Sequence, residues 1–421
     1  MKRLIKICVG LTGSFETASK TNSKGLRRIC RRAHPAPQPA VGAGKLLLFS
    51  GKLALFCSVL FLALVQAGYA QNDWPGFRGD PQLSGVARGA LPEKLELLWT
   101  FEAADGIEST VALSGGMVYV ASLDGHLYAL DLEAGTPKWK YRAGAEIKSS
   151  PSLSGQTVYF GDEEGVFHAV DAATGALRWV FRAGGRIASS ANFVGERVLF
   201  GSYDQNLYCL SAAAGDSLWK FATDGYIHGT PAVFGTAVTV AGCDSYLRLV
   251  NAADGVESKK IELGAYVGAS VAIQQERAYV GTFGNQILGI DLQSGEVLWR
   301  YEDPKRKFPF YASAAVVDDK VIVGGRDKTV RALGTQTGEL EWVFDAGARV
   351  DCSPVVAGER VFFGTMSGVL YGLDLHSGTQ VWAFETGSAF VASPAVAAGK
   401  LLIGSADGVL YCFGEKEKKR D

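Results

Sequence analysis

The side chains most often recruited for chemistry are scattered through this sequence. Beyond residue 70 the histidines are His126, His168, His228 and His376, and the cysteines are Cys209, Cys243, Cys352 and Cys412. None stand at a metal-holding spacing, because CxxC, HExxH and DxDxDG are all missing. A GxSxG elbow, a Walker loop and a GxGxxG turn are missing too, so nucleophilic hydrolysis, phosphate cradling and dinucleotide binding have no carrier. The cysteines read as small buried hydrophobes, without a disulfide framework. Arg78-Gly79-Asp80 spells a cell-adhesion tripeptide, but inside WPGFRG it reads as coincidence.

What remains for function is recognition. Glu108, Glu146 and Lys148, Arg186, Tyr226 and His228, Tyr266, Tyr311, Arg349 and Asp351, then Phe390 recur at matching places while the residues after them stay alike. Mixed charges and aromatics of this kind are the composition of a contact surface. The stretch Tyr226, Ile227, His228, with Asp244 from the adjoining hairpin loop, is one candidate for partner binding. A second is Lys305, Arg306, Lys307, Phe308, Phe310 and Tyr311, where three extra residues lengthen one loop. Solvated loops also vary freely, and that reading stays open.

The elements that must position these residues follow from a repeat. Trp99, Trp139, Trp179 and Trp219 are 40 residues apart, Trp299 follows after a gap filled by Lys259, and Trp342 and Trp382 complete the series. Each unit has the parts seen in SSPSLSG, TVYFGDEEG, VFHAVDAATG and ALRWVFRAG: four short runs of alternating apolar residues, punctuated by Gly, Asp-Gly or Thr-Gly. Such runs are antiparallel strands joined by tight turns. A four-stranded sheet cannot bury both faces alone, so the units must stack radially, with the Trp as docking anchor between neighbours. The last unit ends after three strands, and LELLWTF at Leu95 to Phe101 supplies the fourth. The expectation is an all-β, eight-bladed propeller of four-stranded antiparallel blades over 95–421, closed by that N-terminal strand. Lys259 leaves one junction without its anchor, with the ammonium expected in water.

ALDLEAGTPKW, AVDAATGALRW, GIDLQSGEVLW and GLDLHSGTQVW resemble the tryptophan-docking motif of pyrroloquinoline-quinone-type propellers. The lead segment 71–94, with DWPGFRGDPQLSG, is similar to that of propellers grouped with the outer-membrane assembly factor BamB. The resemblance implies a scaffold gripping a membrane-embedded partner through loops of its middle blades. The catalytic branch implies instead a vicinal Cys pair over the quinone and a calcium site, neither of which this sequence has.

The N-terminal residues bound the compartment. Leu53 to Val65 is an uncharged apolar run of 13 residues behind Lys45 and Lys52, ahead of small residues ending at Ala70. That is a signal-peptide pattern, too short to span a bilayer. Segment 45–70 is therefore expected to be cleaved after Ala70, leaving Gln71 as the mature start; retention as an anchor is the alternative. Residues 1–44 are basic and aperiodic, the pattern of a disordered extension. Glu16 is the one acid before residue 71, so the formal charge of −1 conceals an acidic mature chain, unsuited to nucleic acid. The expectation is an exported, monomeric scaffold in the periplasm or at the cell surface, without a cofactor, binding an envelope or outer-membrane protein in outer-membrane protein assembly. A quinone-dependent dehydrogenase holding pyrroloquinoline quinone, and an envelope sensor or glycan-binding module, are its rivals.

Overall fold

The computed structural model describes residues 73–416. The expected extension, signal segment and cleavage site lie outside the described residues. Thirty-two strands form eight antiparallel four-stranded sheets, and no helix occurs among the described residues. The first blade shows the pattern: Ala112–Ser114, Met117–Ala121, His126–Asp131 and Pro137–Arg142, in spatial order from the axis outward. Middle strands are buried on both sides, whereas outermost strands alternate, as sheets stacked around an axis require.

Closure occurs as the sequence demands. Glu96–Glu102 (β1) pairs with Val409–Gly414 (β32), completing the sheet of Ala395–Ala397 and Lys400–Gly404. The two ends of the ring are thus held by one antiparallel pairing.

Seven of the eight Trp perform the same task. Trp99 donates its indole N–H to Leu132 O of the next blade at 3.0 Å, and Trp139, Trp179, Trp219, Trp299, Trp342 and Trp382 repeat the bond to Ala172, Ala212, Ala252, Thr335, Leu375 and Leu95. Except at Trp382, the ring lies over a turn glycine of that neighbour. A Cβ at Gly135, whose φ is 67°, would come within 2.6 Å of Trp99, so the glycine and the indole are two halves of one joint. A register shift precedes the Trp in the outermost strand, as between Cys209 and Leu210 opposite Trp219 and Ser217. A bulge of this kind re-aims the following side chain.

Lys259 departs from its expected posture. Its ammonium does not stand free in water: it donates to Gln293 O in the next blade, replacing the indole N–H. It does not replace the indole volume, because a Cβ at Gly295 would meet only side-chain carbons of Lys259 and Ile261, no nearer than 3.7 Å.

Candidate functional site

The loops entering the innermost strands place three residues in a repeated order. The middle one points into the sheet stack. Ile227 and Phe310, expected in the contact surface, are therefore core residues, and so is Phe390; Ile227 and Phe310 are only 1% and 2% exposed. Each sits against a glycine of the second strand: a Cβ at Gly201 would meet Ile227 at 2.2 Å, and one at Gly281 would meet Phe310 at 2.5 Å. Asp244 is also a correction. Its carboxylate is buried, accepting from Asp224 N, Tyr246 N and Arg248, and Asp124 and Asp204 cap the equivalent turns in other blades. It shapes a hairpin and ties it to the Asp224 backbone of the neighbouring loop. Among the cysteines, Cys209, Cys352 and Cys412 are buried as expected, but Cys243 is exposed.

The third residue of each loop faces the axis, so Glu108, Lys148, Ala188, His228, Gly268, Tyr311, Asp351 and Val391 line a central funnel of about 170 Å³. Two residues further on, each blade carries a hydroxyl: Thr110, Ser150, Ser190, Thr230, Ser270, Ser313, Ser353 and Ser393. Each backbone N–H from Thr110 to Ser353 donates to the hydroxyl of the following blade at 2.8–3.1 Å. The axis is thus stitched by a belt of side-chain to backbone bonds that the repeated S/T in SSP makes possible.

Below that belt the lead segment closes the funnel. Trp74 exchanges hydrogen bonds with Leu113, and the carbonyls of Pro75, Pro81, Gln82, Ser84 and Gly85 accept from Leu153, Val233, Ile273, Val316 and Val356 of successive innermost strands. Phe77 forms the floor. Arg78 is buried beside it, donating to Ala314 O, and burial holds its guanidinium down to about 10. Asp80 receives Ser84. The Arg-Gly-Asp tripeptide is thus internal to a plug and is not presented for adhesion.

His228 and Tyr311 meet at the rim. Tyr203 OH and Tyr311 OH lie 2.8 and 2.9 Å from His228 Nδ1 and Nε2, so both ring nitrogens are engaged. Burial and the nearby Arg186 push the imidazole down to about 4, keeping it neutral, while burial pushes Tyr311 up to about 12. Gly268 makes this reach possible: a Cβ there would come 2.8 Å from Phe283 and 3.2 Å from Tyr311. The network continues on both sides. Arg186 lies 3.9 Å over the Tyr203 ring and pairs with Glu163 at 3.3 Å, while Arg326 grips Asp351 through two bonds at 2.8 and 3.1 Å.

Outside this rim, aromatic side chains stand in solvent. Tyr226 is 49% exposed and stacks on Tyr203 at 5.1 Å; Tyr266, Phe283 and Phe308 are 58%, 39% and 50% exposed. Lys305 and Lys307 are exposed beside Phe308, and Arg306 turns back to Asp327 O and Asp345. Of the sequence candidates, the structure brings Tyr226, His228 and Tyr311 together with the 305–308 loop at the edge. Tyr203, Phe283 and Arg326 were missed, although they open the hairpin loops between second and third strands, where residue type changes from blade to blade as sharply as it does around the axis.

His168 bonds Asp162 and Tyr141 at 3.1 Å, a pairing used by general bases, but both His168 and Asp162 are buried in a blade away from any cavity. No group of three or more His, Cys, Asp or Glu able to hold a metal occurs among the described residues. Pyrroloquinoline quinone is a tricyclic tricarboxylate; the funnel of about 170 Å³ would set Glu108 and Asp351 against its carboxylates, with Lys148 as the cation in the lining. No step is derived through that group.

Comparisons with known proteins agree on the architecture. The family model described as outer membrane protein assembly factor BamB matches residues 92–202, 169–307, 203–346 and 295–417. The crystal structure of BamB from Moraxella catarrhalis is similar with a TM-score of 0.66 at 22% identity, covering 78% of this chain and 100% of that one. Quinohemoprotein alcohol dehydrogenase from Comamonas testosteroni gives a TM-score of 0.73 at 12% identity, covering 85% and 83%. In sequence, quinohemoprotein alcohol dehydrogenase ADH IIB of Pseudomonas putida is 31% identical over 86 residues, 18% of this chain and only 12% of that relative's length. These likenesses are shared by scaffolds and enzymes and carry the fold alone. With four overlapping matches spanning all eight blades, the chain belongs to the BamB family of pyrroloquinoline-quinone-like repeat propellers.

Proposed function

We propose that this protein is a non-catalytic envelope scaffold that holds a protein partner on the loop face of its middle blades, in the service of outer-membrane protein assembly. The observation that carries the reading is the exposed aromatic run Tyr226, Tyr266, Phe283 and Phe308, set beside Lys305 and Lys307 on a rigid ring. Solvated loops that vary freely do not collect large aromatics on adjacent blades, and protein interfaces are enriched in Tyr, Phe and basic side chains. The apolar leader read in the sequence fits export, and the family match supplies the class of partner. No helix among the described residues is long and apolar enough to cross a membrane.

The test is capture from cell envelopes with the double variant Tyr226→Ala, Tyr266→Ala. Both side chains are half in solvent, so the melting temperature should move little. Recovery of an outer-membrane assembly protein by the parent and its loss from the variant is the expected result. Equal recovery by both would remove this face from the reading.

A further inference from the structure

The axial funnel offers hydrogen-bonding capacity that the protein does not itself use. In the hydroxyl belt the oxygens from Ser150 onward are occupied as acceptors of backbone N–H groups. Apart from Ser393, which reaches the Cys352 thiol, these hydroxyls have no acceptor for their own hydrogens among the described residues. Seated on the cavity wall, they present those hydrogens to the lumen. Two residues nearer the mouth, Glu108 has no hydrogen bond or ion pair among the described residues. Lys148 makes only long pairs, 3.6 and 3.7 Å, with Glu146 and Glu163. Phe77 and Val391 add apolar surface.

Buried polar groups in native proteins find partners, in water or in a ligand. A lone anion entering the funnel would satisfy the hydroxyls but meet Glu108. A lone cation would satisfy Glu108 but meet Lys148 and a wall of hydroxyl hydrogens. A polyol meets both demands, since every hydroxyl both donates and accepts, and a sugar ring also carries an apolar face. The cavity, about 170 Å³ above the Phe77 floor, is of the size of one such ring.

We propose that the axial funnel is a binding site for a single hexose ring, with Glu108 accepting from sugar hydroxyls, Lys148 and the Ser/Thr belt donating to them, and Phe77 setting the depth. The ring is either a free monosaccharide or the terminal unit of a glycan entering from the loop face. The site is independent of the scaffold reading, since it uses none of the exposed aromatics on which that reading stands.

The test is titration calorimetry on the purified protein with glucose, galactose, mannose and N-acetylglucosamine, and with glycine, acetate and sulfate as charged controls. One hexose should bind saturably and the controls should not. Glu108→Gln, which keeps the shape, should weaken it roughly tenfold or more by removing a charged acceptor. Ala188→Phe, which fills the lumen, should abolish it while the melting temperature stays near the parent's, showing the ring intact. Equal binding of the corresponding methyl glycoside supports a glycan terminus as the source, and binding of the free hexose alone supports the monosaccharide. Saturable binding of a charged control without any hexose, no hexose binding at all, or hexose binding unaffected by both variants would overturn the proposal.

Discussion

Replacing Trp99 by Ala should open the ring at one place before it unfolds anywhere else. Trp99 stands on β1, the strand that closes the ring by pairing with Val409–Gly414, and it also docks the eighth blade on the first through Leu132 O and Gly135. Removal loses the indole bond and leaves a void over a glycine that has no side chain to fill it. Deletion of a buried Trp costs about 3 to 5 kcal/mol, and the half-buried position of Trp99 puts it near the lower figure, about 3 kcal/mol. Because neighbouring blades share only their interface, that cost falls on local opening of the seam. In hydrogen exchange, a loss of this size is roughly a hundredfold faster exchange, at 1.4 kcal/mol per tenfold. The acceleration should appear in Glu96–Glu102 and Val409–Gly414 together, because they are hydrogen-bonded to each other, and spare the blades opposite. Acceleration confined to Glu96–Glu102, or spread evenly over all eight blades, would refute closure through this strand.

Three further outcomes follow from the geometry. Lys259→Trp should stabilise the junction between the fourth and fifth blades by about 1 kcal/mol, in the range of single stabilising substitutions, because the place over Gly295 is open; slower exchange in Glu257–Glu262 checks it. The His228 imidazole, held down to about 4 against an ordinary value of 6.5, contributes stability that is complete above pH 6.5 and is lost as pH falls toward 4, on the order of 3 kcal/mol. Denaturant unfolding of the parent and of His228→Gln at pH 7 and pH 4 should show a larger acid loss in the parent. Gly268→Ala should push Tyr311 off His228, and the histidine's pH-dependent NMR shift should then move its midpoint upward.

The fold was legible in the sequence because a 40-residue period with one Trp in nearly every unit admits few architectures, and because the strand just ahead of the first full unit is the one that the last unit lacks. The site was less so. Loop position places Ile227 and Phe310 among variable neighbours, yet only the three-dimensional loop shows that the middle residue turns inward, here onto a strand glycine. Asp244 looked variable until its equivalents Asp124 and Asp204 were seen capping the same turn. The plug was hidden for a different reason: residues 74–87 pair their carbonyls with strands from most of the ring, and no periodicity within a short segment can announce partners up to 270 residues away.

The central claim is that the aromatic loop face contacts a protein partner, and site-specific photocrosslinking in living cells tests it most directly. A photoreactive residue at Tyr226, Tyr266 or Phe308 should give one adduct with an outer-membrane assembly protein, whereas the same residue at Leu177 or Val381, exposed on outermost strands, should give none. Absence of adducts from all three loop positions, or equal adducts from the outer strands, would contradict the account.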